Sequence, residues 1–283
     1  MHLSAFSTDV ADQLNSAKQA ERAWHDAFYA AHAASDYPET LAEFQERFRR
    51  IELTPFYEGG WNRWADPRRE ALETLGEVTG LSVLDYGCGT GTLGMYLSLC
   101  GANVHGFDLS QEGIKVANEV ARRYRLSAQF AQMDAEELSY PENSFDLVVG
   151  FGVLHHVIKY PRASSHLLRV MKPAARAIFV ETLWDNPVIN LVRRFTTEDE
   201  EAGDAKLTEQ NIRQFSEGFR HVQLEKRHLV YMLKRLAKLP PRDLSMAMRP
   251  RSFWRRVKSL DDQLLRFQPL RRYCGEVIIS LEK

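Results

Sequence analysis

The run Val83-Leu84-Asp85-Tyr86-Gly87-Cys88-Gly89-Thr90-Gly91 limits what this chain can fold into more than any other stretch. Residues 81–84 are an apolar segment of buried-strand length, and 92–100 carries the pattern of the helix that follows it. Three glycines at alternate positions between them let the backbone turn sharply and approach a ligand that any Cβ would push away. Strand, glycine turn and helix in that order predict a βα unit that holds a nucleotide-like cofactor at the strand's carboxyl end.

From residue 81 the pattern alternates. Strands are predicted at 81–85, 103–108, 128–132, 145–150 and 175–181, and helices at 92–100, 111–125 (with Ser110 as N-cap) and 162–171. Strict alternation implies an α/β, doubly wound, Rossmann-like and mainly parallel sheet with ligands at the carboxyl ends of its strands. Past 181 the alternation stops: Asn186-Pro187, the acidic run 198–201 and Gly203 predict a loop-rich crossing, then a helix near 208–218 and a strand within 221–231. A last strand at 276–281 brings the expected sheet to seven strands.

Ahead of the sheet, residues 1–80 read as a helical cap. Helical spacing covers 11–34 and 40–51, the latter through Leu41, Phe44, Phe48 and Ile51. Gly59-Gly60 and the aromatics Phe56, Tyr57, Trp61 and Trp64 interrupt it before Pro67, which suits the first turn of another helix. The expected organisation is a cap at 1–80, a core at 81–231, a helical insertion at 232–273 before the last strand, and that strand at 274–283.

The hydrophobic fraction of 44% and charged fraction of 27% are those of a soluble globular chain. No apolar run approaches the ~20 residues of a membrane span, and the N-terminus lacks a signal-peptide core, so a cytoplasmic location is expected. Cys88, Cys100 and Cys274 show no CxxC spacing or histidine partner; they read as reduced structural thiols, and no metal is expected. The net charge of −1 leaves contact with polyanions to a local patch. The insertion is such a patch, with twelve basic and three acidic side chains. Within it Phe253, Val257, Leu260, Leu264 and Phe267 step by four and three, an amphipathic helix. It reads as a solvated helix packing on the sheet, or as a surface for an anionic substrate, a peripheral membrane face or RNA.

Which cofactor the turn takes is decided beside it. Gly89-Thr90-Gly91-Thr92-Leu93-Gly94 also fits G-x-G-x-x-G, with Asp108 one βα unit later, which by itself suggests a nicotinamide dinucleotide. Asp85 argues otherwise. A carboxylate at the end of the first strand repels a pyrophosphate and suits a cofactor with an ammonium group and no phosphates. S-adenosylmethionine is such a cofactor.

At these residues the chain resembles the class I S-adenosylmethionine-dependent methyltransferases, nearest to the bacterial small-molecule branch often called type 11. Residues 83–91 look like the family's first motif and Gly106-Phe107-Asp108-Leu109-Ser110 like its second-strand acid. Met133-Asp134-Ala135 is similar to the adenine-flanking segment, and Pro141-Glu142-Asn143-Ser144-Phe145-Asp146 with Val148-Val149-Gly150 to the fourth strand. Leu154-His155-His156-Val157 resembles the next loop and Leu168-Arg169-Val170-Met171-Lys172-Pro173 the helix before the fifth strand. The resemblance covers 81–181. It implies that Asp85, Tyr86 and the backbone at Gly87 hold the methionine portion, while Gly89 and Gly91 allow close approach. Asp108 would bind both ribose hydroxyls, with Leu109 near the adenine. Asp134 would take the adenine amino group between Met133 and Ala135, with Gly150 and Phe151 under the sulfonium. One departure is Pro173-Ala174-Ala175, where the family usually has two glycines after the proline; the turn into the fifth strand is therefore expected to avoid positive φ.

Methyl transfer from a sulfonium is an in-line displacement, so the protein's work is holding the nucleophile close and neutralising charge. An alcohol acceptor also needs a base, and His155 or His156, after the fourth strand, is the candidate. Trp24, His25, Tyr29, Tyr57, Trp61 and Glu181 are candidates to touch substrate. The leading expectation is methylation of an oxygen on a small molecule, of natural-product, sugar or lipid type. An RNA methyltransferase gripping phosphates with the insertion, and a non-catalytic S-adenosylmethionine-binding partner, are the alternatives. Oligomeric state is left open.

Overall fold

Strand residues of the sheet alternate between two buried faces. The computed structural model describes residues 8–31, 34–49, 67–187, 190–191, 205–230, 232 and 251–283. Seven strands form one sheet in the order β3-β2-β1-β4-β5-β7-β6. They are β1 (Ser82–Tyr86), β2 (Asn103–Asp108), β3 (Ala128–Gln132), β4 (Phe145–Phe151), β5 (Met171–Thr182), β6 (His221–Arg227) and β7 (Glu276–Glu282). The order reverses between β1 and β4, which places a ligand crevice at their carboxyl ends.

The winding is mixed rather than parallel throughout. Strands β1 to β5 pair in parallel, but β7 runs antiparallel to both β5 and β6. The return from β6 to β7 inserts β7 between β5 and β6, so β7 alone runs against the direction that β6 shares with β1 to β5.

The helices are α1 (Thr8–Ala30), α2 (Leu41–Arg49), α3 (Pro67–Thr74), α4 (Thr92–Leu99), α5 (Gln111–Tyr124), α6 (Leu154–Val157), α7 (Ala163–Val170), α8 (Glu209–Phe215) and α9 (Arg251–Leu264). On one face Val83, Leu147, Val149 and Ile178 pack with Ala71 and Leu75 of α3 and Leu97 of α4. On the other Leu84, Val148 and Phe179 pack with Leu154, Leu167 and Ile212 from α6, α7 and α8. Alternate residues of one strand therefore serve two cores, the burial expected of a sheet covered on both sides. Helix α5 starts where expected: the Ser110 side chain accepts from the Gly113 N–H.

Two expectations fail locally. Ala174 adopts φ 61°, so the turn does enter the left-handed region that the absence of glycine was expected to forbid. The pairing explains it: Phe145 faces Met171 but Leu147 faces Arg176, and the surplus residues of β5 bulge through Pro173-Ala174. In α9 the apolar stripe is only partly covered, since Leu260 and the following Phe267 are exposed. That helix is tied instead by buried Asp261, which accepts the N–H groups of Leu229 and Val230 just past β6 at 3.1 and 2.6 Å. No helix among the described residues is long and apolar enough to cross a membrane.

Candidate active site

The glycine turn is built from its flanking strand outward. Asp85 is buried at the end of β1, and its carboxylate accepts the Gly94 N–H in the first turn of α4 at 2.8 Å. Burial pushes the Asp85 carboxyl up to about 7, the Gly94 hydrogen bond pulling it down and neighbouring Asp108 adding to the rise. Asp108, at the end of β2, accepts the N–H groups of Gly89 and Ser110 at 2.8 and 2.9 Å. Burial raises its pKa too, against those two hydrogen bonds and nearby His25. The second-strand acid thereby clamps the turn that it faces.

The glycines divide by role. At Gly91, φ 76°, an added Cβ would lie 2.8 Å from Phe130 and 2.9 Å from Ala117, so this glycine serves internal packing and not close approach of a ligand. At Gly150 it would meet Phe179 and the Tyr86 carbonyl, and Phe151 packs into the α3-side core. Gly89, φ 52°, is different: its Cβ direction points at the Tyr29 hydroxyl of α1, 2.6 Å away. Gly113 likewise faces Tyr29, at 3.0 Å, so the cap helix fills the space that both missing side chains leave.

Helix α1 lies across this end of the sheet. Lys18 pairs with Asp134 at 2.6 Å and Glu136 at 2.8 Å. Glu21 accepts from Tyr160 Oη at 3.0 Å, pairs with Lys159 at 3.3 Å and meets His156 Nδ1 at 3.3 Å. Asp26 accepts from the Ser110 hydroxyl at 2.6 Å and the Glu112 N–H at 3.2 Å. The sequence reading found His25 and Tyr29 on this helix but missed Lys18, Glu21 and Asp26. Their spacing with His25 and Tyr29 at three, four and seven residues marks one helical face, which could have identified them.

The two adjacent histidines have separate carboxylate partners. His155 Nδ1 lies 2.8 Å from Glu181 Oε2, and the other oxygen of that fully buried carboxylate accepts the N–H groups of Val153 and Leu154, both at 2.7 Å. Glu181, expected to touch substrate, is fully buried and its carboxylate is taken up by His155, Val153 and Leu154. His156 is buried against Glu21 and His25. Trp24 stacks on exposed Phe28 and edges His25. Tyr86 is fully buried between Phe107 and Phe179, so its side chain packs the core and only its backbone is at the turn. Leu109 accepts the Gln132 side chain through its carbonyl, Met133 packs beside the α7-side core, and Ala135 is buried within it. Tyr57 and Trp61 lie outside the described residues.

Asp85, Asp108 and Asp134 thus stand at the ends of adjacent strands beside Gly89. Three carboxylates there suit a cationic, phosphate-free ligand and oppose a pyrophosphate.

Residues 83–174 match the family described as a methyltransferase domain. A demethylmenaquinone methyltransferase of Lactococcus lactis is 32% identical over 41% of this chain and 47% of its own length. A ubiquinone biosynthesis O-methyltransferase of Alkalilimnicola ehrlichii is 31% identical over 46% of this chain and 59% of its own. The chain spans about half the length of the curated relatives it matches. Among solved structures, a Haemonchus contortus phosphoethanolamine N-methyltransferase 2 in complex with S-adenosyl-L-methionine superposes with a TM-score of 0.56 at 19% identity, over 87% of this chain and 61% of that one. The cyclase SpnF does so at 0.52 and 21%, over 76% and 80%. These two share the fold; their different chemistries show that the fold alone does not set the reaction. Residues 83–174 are thus similar to a methyltransferase domain, and S-adenosylmethionine is the cofactor that such a domain takes.

Proposed function

We propose that the chain transfers a methyl group from S-adenosylmethionine to an oxygen of a small-molecule acceptor, of the quinone-biosynthesis type that its relatives' names carry. The His155–Glu181 pair at the end of β4 is the observation that carries this reading. A buried carboxylate on Nδ1 fixes the tautomer that leaves Nε2 as an acceptor, the arrangement of a general base for a hydroxyl.

The cofactor supplies an electrophilic methyl group on a sulfonium. Asp85 and the Gly87 backbone would hold its methionine end, Asp108 its ribose, and Asp134 its adenine, beside Leu109, Met133 and Ala135. Gly150 and Phe151 would floor the sulfonium. His155 would take the hydroxyl proton of the acceptor, and Glu181 would stabilise the imidazolium so formed.

The test is S-adenosylhomocysteine formation with catechol and hydroquinone probes. His155→Ala and Glu181→Gln should each lower kcat about 10²-fold or more with little change in KM. Unchanged kcat in both variants removes the base. Cofactor binding with no product from any acceptor removes methyl transfer altogether, and RNA binding with a steep salt dependence would shift the acceptor to RNA.

A further inference from the structure

We propose that Glu21, His25 and His156 form a binding site for a divalent metal ion of the zinc class, directly beside the methyl-transfer base. One ligand atom from each residue lies within 4.8 Å of the others. His156 Nδ1 and Glu21 Oε1 are 3.3 Å apart, which is about the separation of neighbouring ligands around a tetrahedral ion with bonds of about 2.0–2.1 Å. Glu21 and His25 stand four residues apart on α1 and so share one face, and the His25 and His156 rings meet at 77° with centroids 4.9 Å apart.

The surroundings suit a held ion. Glu21 and His156 are 4% and 7% exposed. Glu21 divides its oxygens: Oε2 takes Tyr160 and Lys159, while Oε1 faces His156. Those outer contacts orient the carboxylate as outer hydrogen bonds orient metal ligands, with the Lys159 ammonium on the oxygen turned away from His156. Buried Asp108 and Glu181 lie nearby, through His25 and through His155. Two histidines and a glutamate are the ligand set of catalytic zinc sites, which keep a position for substrate or water. No metal was expected from the sequence, because the ligands are split between a cap helix and a core helix 131 or more positions apart in the chain.

The site itself stands without the acceptor. Its use, holding an acceptor oxygen one residue from His155, rests on the proposed methyl transfer. The full-length protein, stripped with chelator, is titrated with zinc by calorimetry and with cobalt by visible absorption, in the absence of any acceptor. One equivalent of zinc should bind with a dissociation constant of about 10 µM or tighter, and cobalt should give the intense bands of a four-coordinate ion. Glu21→Gln and His25→Ala should each weaken zinc binding at least tenfold, with thermal stabilisation by S-adenosylhomocysteine reporting an intact core; His25→Asn replaces any variant that fails that check. No zinc binding by the wild type, or equal binding by the folded variants, overturns the site. Zinc binding without turnover keeps the site and refutes only its catalytic use.

Discussion

At the scale of single residues, Asp85 couples burial to pH. Its folded pKa of about 7 lies above the ordinary 3.8, so the fold favours the protonated form. The stability this contributes is complete below pH 3.8 and is lost as pH rises through about 7. A cofactor ammonium reverses the preference, because it favours the ionised carboxylate. Affinity for S-adenosylmethionine should therefore rise between pH 6 and 7, by up to about tenfold, and level off above. Asp85→Asn should bind weakly with a flat profile; a wild-type profile equally flat by calorimetry would mean that Asp85 meets no ammonium. Ala174 tests backbone alone. Its φ of 61° costs an L-residue about 1 kcal/mol, so Ala174→Gly should raise stability in urea by about 0.5–1 kcal/mol despite the added unfolded-state entropy. Unchanged or lower stability would show that the bulge in β5 is not strained.

At the scale of elements, the start of α5 joins cap to core. The Ser110 hydroxyl accepts from Gly113 and donates to Asp26 of α1, so its removal takes an N-cap and an inter-element bond together. Ser110→Ala should cost about 1–2 kcal/mol, the upper part of the range for a cap, and should expose α1 to proteolysis before the sheet unfolds. Digestion of α1 at the wild-type rate would show that other contacts hold the helix. The strands were legible because their side chains alternate between two apolar faces, a pattern that survives any detail of packing. The turn at 87–91 was legible because glycine leaves few conformational options. The four-residue helix α6 was not, since one turn carries no period. Glu181 was placed at the right strand end, but only the fold brings Val153, Leu154 and His155 around its carboxylate. The polar contacts of α1 were not legible because its partners, Asp134, Tyr160 and Ser110, lie over 80 positions away.

At the scale of the whole molecule, α1 bridges the loops after β1, β2, β3 and β4, and one ion pair sits where adenine is expected. Lys18 and Asp134 meet at 2.6 Å, with side-chain exposures of 15% and 23%. Burial alone would lower the Lys18 pKa; hydrogen bonds to Asp134 and Glu136 raise it overall, so the contact is kept as an ion pair. An adenine amino group can take Asp134 only if Lys18 yields. Part of the cofactor's binding free energy is then spent separating the pair, and part of the cap's attachment is lost on binding. Lys18→Gln should loosen the cap in the free protein yet bind S-adenosylmethionine more tightly. At a ligand concentration 100 times Kd the wild type gains about 2.7 kcal/mol, about 5–10 °C in Tm for a chain of this size. At that same concentration the variant should start from a lower Tm and gain more. A smaller gain would mean that Lys18 itself contacts the bound cofactor, and an equal one that adenine is held away from Asp134.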